Sequence, residues 1–341
     1  MSSLKNIVVV GSGGGAPLVQ TLQKQINPDT HRIVVIETGL LCSLACPYCE
    51  LIISPLLLSP EITCTTKKRA AVSMGTIRSD VKQITDTDVI IESGEAIPYE
   101  HLVLAMGSNW TGPLNLPSSK EKAIEHFKSF KSELSTADSI LIVGGGSVGI
   151  ELMNDTYVTK FRQSVLDAMI STGVEVILED RIPPQATLID GFMTSENGRR
   201  IPADLVILAA GGPSIVRAFD PSAVTESGTV LVTPELQVNL SSGARNVWAI
   251  GDIIEWPEQK MVLKASSGHA PVLAKNIIAS IWGSKPSPYG GKTEMIFVTI
   301  GPNGGRGLVP LFGGVVVGDW IISTMKSSGL FADRTRTALG C

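Results

Sequence analysis

Residues 6–26, NIVVVGSGGGAPLVQTLQKQI, begin as an apolar run, pass through four glycines and then place Leu18, Leu22 and Ile26 at helical spacing. A strand, a tight turn and a helix are predicted. A second apolar run, HRIVVIETG at 31–39, closes on Glu37. The first pattern returns at 137–155 as ADSILIVGGGSVGIELMND, again an apolar strand running into glycines. Each copy is followed by a matching phrase, IPYEHLVLAMGS at 97–108 and IPADLVILAAGG at 201–212, which read as buried strands ending in glycine-rich turns. The chain therefore contains an internal duplication.

The two copies differ in length. Gly11 lies 86 residues before Ile97, whereas Gly144 lies 57 before Ile201, a shortfall of 29 in the second copy. In the first copy an acid, Glu37, ends a strand 26 residues after Gly11; the equivalent position in the second is Ile170. Ile170 sits in FRQSVLDAMISTG, where Phe161, Val165, Leu166, Met169 and Ile170 have helical spacing. The second copy keeps its glycine turn and lacks an acid-terminated strand.

Such a turn has a specific use. In Gly11-x-Gly13-x-x-Ala16 the first glycine permits the sharp turn, the second lets backbone approach a pyrophosphate, and the small third residue lets helix pack on strand. A carboxylate at Glu37 is placed to accept hydrogen bonds from an adenosine ribose. A third signal, VWAIGDIIEWPEQKMVLKASSGHAPVLAKNIIASIWG at 247–283, is a strand ending in Gly251-Asp252 and then an apolar helix from about Ser266 to Trp282. Asp252 can accept a ribityl hydroxyl while the helix N-terminus faces the electron-rich edge of a flavin, so FAD is the expected cofactor.

Composition narrows the partners. With 28 basic against 32 acidic residues, net charge −4, and the cations scattered, neither a nucleic-acid face nor a polybasic membrane anchor is indicated, and a small-molecule substrate is expected. Aromatics at 5% and 34 glycines suit an α/β protein with many tight turns rather than a stacking surface. Five cysteines, an odd number, favour a reduced cytoplasmic setting over a disulfide framework. The apolar stretch GLVPLFGGVVVGDWIIST, 307–324, contains Pro310, Asp319 and several glycines, which argues for a packed strand-and-helix segment, with peripheral membrane contact as the lesser reading. Its apolarity is also compatible with a homodimer interface.

In this order the motifs resemble the two-dinucleotide-binding flavoproteins, and within them the apoptosis-inducing-factor-like, ferroptosis-suppressor-type NADH:quinone oxidoreductases. The resemblance rests on GSGGGA with Glu37, LVLAMGS, IVGGGSVGIE, VWAIGD and the tail TIGPNGGRGLVPLFGGVVVGDWIISTMKSSGLF. It implies an α/β fold with two Rossmann-like dinucleotide-binding domains and a small C-terminal domain. The FAD domain would span 1–112 and 236–285, a shortened NAD-like domain 113–235, and the C-terminal domain 286–341. The resemblance also implies that Gly11, Gly13, Gly14, Gly15 and Ala16 face the FAD pyrophosphate, and that Glu37 and Thr38 lie at the adenosine ribose. Gly107 and Ser108 would cover the pyrophosphate, Gly251 and Asp252 would meet the ribityl chain, and Lys260 and Met261 the isoalloxazine. Glu151 matches a glutamate near the nicotinamide and flavin rings. Met106 departs from the family's threonine, and the 29-residue shortfall removes the segment that reads the NAD(H) ribose, which sets NAD(P)H use against the family pattern.

Several residues carry two readings. His269 is either a proton donor at the flavin or a helix-terminus histidine, and Glu151 either a catalytic acid or one stabilised by the helix dipole. Lys260 and Lys264 are either surface residues or cations that stabilise the reduced flavin. Cys42, Cys46 and Cys49 have the C-x3-C-x2-C spacing of radical-SAM clusters, but they follow Glu37 of a dinucleotide unit, and with Cys64 no histidine stands near to complete a zinc site. No metal is assigned. A redox pair and a set of loop cysteines lining the substrate side remain as alternatives. For function the sequence leaves FAD-dependent oxidation of a small apolar, quinone-like or aromatic metabolite, an NAD(P)H:quinone oxidoreductase, a non-redox enzyme of specialised metabolism, and a non-catalytic flavoprotein.

Overall fold

The computed structural model describes residues 4–37, 74–108, 115, 117, 119–144, 157–209, 219–258, 260–261, 264–301 and 303–324. Its first unit is a five-stranded parallel sheet in the order β13-β7-β1-β2-β3. The strands are β1 (Lys5–Val10), β2 (His31–Glu37), β3 (Met74–Arg78), β7 (His101–Leu104) and β13 (Val247–Ala249). Val10 stands opposite Ile36 on one side and Leu104 on the other, so β1 is the centre of the sheet. Helices cover both faces of such a sheet, and its central strands accordingly read as unbroken apolar runs. Ile7 to Val10 and Leu102 to Leu104 are fully buried, each such side chain contributing roughly 1.5–3 kcal/mol. Helices α1 (Gly15–Leu22) and the later α4 (Ala270–Ile281) pack against each other over this core. A meander of β4 (Val81–Ile84), β5 (Asp88–Ile91) and β6 (Ala96–Pro98) precedes β7. The same core takes Phe219, Ala223 and Val230, with a short parallel pair of β12 (Val230–Leu231) and β14 (Ile254–Glu255).

The second unit is built differently. Helix α2 (Lys120–Thr136), capped by Ser119, leads into β8 (Ile140–Val143), which pairs in parallel with β11 (Leu205–Leu208). Among the described residues the sheet stops at these two strands. Ile140 and Ile142 are 43% and 50% exposed, and β11 is only half-buried, contrary to the buried strand expected from IPADLVIL. Among the described residues no third strand flanks this pair. Helix α3 (Thr159–Ser171) forms where the helical spacing predicts it, and a hairpin of β9 (Phe192–Thr194) and β10 (Arg200–Pro202) precedes β11.

The apolar face of α3 turns to the C-terminal sheet of β15 (Ile296–Thr299), β16 (Gly305–Val309) and β17 (Val315–Val317). Tyr157, Phe161, Val165 and Met169 form one core with Ile296, Val298 and Leu308, and Arg306 Nε donates to Ser164 Oγ at 2.9 Å. A one-turn helix α5 (Asp319–Ile322) closes the sheet. The segment 307–324 is thus strands and a short helix, and no helix among the described residues is long and apolar enough to cross a membrane.

Candidate flavin site

The carboxyl ends of β1, β2, β7 and β13 come together beside the point where strand order reverses, between β1 and β7, where open α/β sheets bind ligands. At the end of β1, Gly11 has φ +94°, and a Cβ there would stand 2.5 Å from the Ala105 carbonyl oxygen. Only glycine lets the two strand ends approach so closely. A Cβ on Gly15 would already meet Val9 Cγ1 at 2.8 Å. The small residue that seats the helix on its strand is therefore Gly15, one position before Ala16.

Helix α1 starts after Gly14 with neither a side-chain cap nor an acid in its first turn, which leaves its N-terminal dipole open to an anion. Gly14 faces Gly251, whose Cα lies 3.7 Å from the Cβ position of Gly14, so the first and third motifs touch through glycine. Glu37 Oε2 accepts the Ser12 N–H at 2.6 Å, and the Ser12 hydroxyl is buried without a hydrogen-bond partner among the described residues. A buried hydroxyl without a partner beside a buried carboxylate suits the hydroxyl-rich, phosphate-bearing end of a dinucleotide. Gly107, at φ +69°, and Ser108 follow β7 on the same edge. The residues described at this end thus fit the phosphate-bearing part of a dinucleotide such as FAD.

At the flavin end, β13 passes into a 3-10 turn, Gly251–Ile253. Burial raises the carboxyl of Asp252 above its ordinary range, while Lys260 and His269 pull it down. The cleft in front of this turn has apolar walls from Ile254, Trp256 and Met261. Its polar lining is Asp252, Glu258, Lys260, Lys264 and His269. Lys260, Met261, Asp252 and His269, named from sequence, are therefore brought together.

Sequence reasoning missed Glu258 and left Lys264 between a surface residue and a flavin cation. Lys264 is 4% exposed, paired with Glu294 and 3.9 Å from Glu258. Glu258 Oε1 meets His269 Nε2 at 2.9 Å and accepts Tyr289 Oη–H at 2.9 Å, while Oε2 accepts the Lys292 N–H at 3.1 Å. His269 Nδ1 accepts the Gly251 N–H at 3.1 Å. The ring is in contact with protein at both nitrogens, and burial, working against Glu258 and Asp252, lowers its pKa and keeps it neutral. One signal could have pointed here. Pro271 has no N–H for the turn before it, and the helix opens into a π-helical turn at Ala265–His269, with Ala270 N–H reaching Ala265 O.

His31 and His101, assigned no chemistry, are structural. His31 Nε2 lies 2.6 Å from Glu100 Oε2, and His101 Nδ1 accepts from Trp248 Nε1–H at 3.4 Å. Thr38, Glu151 and Cys42, Cys46, Cys49 and Cys64 lie outside the described residues, as do Gly146 and Gly149.

Comparison with known proteins agrees with the geometry. Residues 5–155 match the pyridine nucleotide-disulphide oxidoreductase family. A protein of Flammulina velutipes named FAD-dependent oxidoreductase FVFD30 is 30% identical over 289 residues, 77% of this chain and 89% of that one. Apoptosis-inducing factor homolog B of Dictyostelium discoideum is 27% identical over 400 residues, 98% of this chain and 96% of that protein. A ferredoxin reductase of Rhodopseudomonas palustris has the same fold at 17% identity, with a TM-score of 0.68 over 89% of this chain and 82% of its own. The chain belongs to the FAD-dependent oxidoreductases of the pyridine nucleotide-disulphide oxidoreductase family.

Proposed function

We propose that this FAD-dependent oxidoreductase acts on a small, fairly apolar molecule, aromatic or quinone-like, at its flavin, without taking hydride from NAD(P)H at its second glycine turn. Bound FAD supplies the two-electron step. Asp252 would orient the ribityl chain, and Lys260 would place positive charge beside the reduced flavin.

The observation that carries the loss of NAD(P)H use is the second unit. Its parallel sheet consists of β8 and β11 among the described residues, with Ile140 and Ile142 half exposed, and no acid-terminated strand stands at the ribose position. A dinucleotide held only by a phosphate turn lacks the ribose contact that fixes its register. The competing reading, an NAD(P)H:quinone oxidoreductase, is favoured by the family match continuing to residue 155, through the second glycine turn.

Anaerobic titration of the holoenzyme with NADH and then NADPH separates the two. The expected result is a flavin absorption band that persists with both nucleotides and bleaches with a reduced aromatic or quinol substrate. Bleaching by either nucleotide within a catalytic turnover would overturn the proposal in favour of the quinone oxidoreductase.

A further inference from the structure

Four donors from two stretches of chain converge on the buried carboxylate of Glu258, whose side chain is 7% exposed. They are the His269 ring, the Tyr289 hydroxyl, the Lys292 amide and, at 3.9 Å, the Lys264 ammonium. Burying a carboxylate this deeply costs several kcal/mol unless it is fully paired, and an apolar substitute would often be as stable.

The π-helical turn explains how two of these donors reach one acid. At 3.6 residues per turn, positions five apart point about 140° away from each other. The wider turn at Ala265–His269 brings Lys264 and His269 round toward the same carboxylate. His269 then sits between an acceptor and a donor: Glu258 on Nε2 and the Gly251 N–H on Nδ1. Only the neutral ring protonated at Nε2 satisfies both.

We propose that Glu258 is a positioning residue for the flavin: it selects the Nε2–H tautomer of His269, leaving Nδ1 to hold the Gly251 N–H and so to fix the turn that presents Asp252. A proton on Nδ1 would point at the Gly251 N–H and break that contact, so the flavin hold is acid-labile. The groups facing the ring are Asp252 and Glu258, which favour its protonation, Lys264, which opposes it, and the edge-on Tyr289 ring at 4.7 Å. Lys260 acts on the same turn through Asp252.

The test uses the holoenzyme. 15N spectra of the imidazole at about pH 7.5 should show His269 protonated at Nε2 and bare at Nδ1. The dissociation constant for FAD should rise as the pH falls from roughly 7.5 to 5 in the wild type. His269→Asn offers an oxygen where Nδ1 was but leaves Glu258 short of one donor, so it should bind FAD more weakly than the wild type at high pH and lose the acid dependence. Glu258→Leu, which removes the acceptor at Nε2, should release the other tautomer and weaken FAD about tenfold. An Nδ1–H or cationic ring in the wild-type spectrum overturns the proposal, and this reading needs no variant to fold. Acid dependence as steep in His269→Asn as in the wild type also overturns it, by assigning the titration to Asp252.

Discussion

The carboxylate of Glu37 accepts the backbone N–H of Ser12 at 2.6 Å, so the acid that ends β2 is fastened to the glycine turn that ends β1. One side chain therefore links the ribose position to the phosphate position before any nucleotide arrives. Replacing it with alanine removes a charge-assisted acceptor and loosens the turn. Charged hydrogen bonds contribute about 1.5–3 kcal/mol, so Glu37→Ala should weaken FAD by roughly 10- to 100-fold. Glu37→Gln, which keeps one acceptor, should lose less. Fluorescence titration of the apoprotein with FAD measures both, and equal affinity in Glu37→Ala and the wild type would exclude a ribose contact.

Two glycines at positive φ should respond differently to alanine. At Gly11 the new Cβ meets backbone, the Ala105 carbonyl at 2.5 Å and Met106 Cα at 2.8 Å, neither of which can move without parting β1 from β7. At Gly107 nothing lies within 4 Å of the new Cβ, and only the left-handed strain remains, about 1–2 kcal/mol. Thermal melts should show Gly11→Ala far more destabilised than Gly107→Ala, by at least about 3 kcal/mol in all. Similar melting temperatures would mean that the close approach of the two strand ends is relaxed in solution.

His101 gives the fold an acid-sensitive point away from the cleft. Burial between β7 and Trp248 lowers its pKa from 6.5 to about 4. The unfolded chain therefore binds the proton first as pH falls, and stability is full above about pH 6.5 and is lost progressively toward pH 4. By pH 5 the loss from this residue is on the order of 2 kcal/mol. Urea midpoints measured from pH 7 to pH 5 should fall in the wild type and fall less steeply in His101→Gln, the remainder coming from His269. An unchanged slope in the variant would show that the His101 ring is already protonated in the fold.

How much of this was readable in advance follows from the distance over which each signal acts. The turn at Gly11–Gly15, the end of β2 at Glu37 and the Gly251–Asp252 turn are local patterns, and each occupies the predicted place. Glu258 carries no local signature because its partners lie 11, 31 and 34 residues further along the chain. For Lys264 the sequence leaves a surface cation and a flavin cation both open, because its burial depends on Glu294 and on a π-helical turn that periodicity at 3.6 cannot express. The 29-residue shortfall was countable, but its structural consequence was not. A count shows that a strand is missing without showing where the apolar face of the neighbouring helix will go.

That face goes to the C-terminal sheet, and the last prediction concerns what it does there. Phe161 is fully buried in the core that α3 shares with Ile296, Val298 and Leu308, while the strands of its own unit, β8 and β11, stay half exposed. Among the described residues its own unit offers α3 a two-stranded sheet, and the helix's apolar face packs instead on the C-terminal one. Phe161→Ala removes a large side chain from a small core and should cost about 3–5 kcal/mol there. The FAD cradle belongs to a separate core, so the variant should keep its bound flavin while its melt splits into an early transition without flavin release and a later one with it. Following circular dichroism and flavin fluorescence on the same sample decides the point. A single transition seen by both probes would mean that the shortened unit and the FAD unit unfold together, and that α3 stabilises the flavin site as well as the sheet it covers.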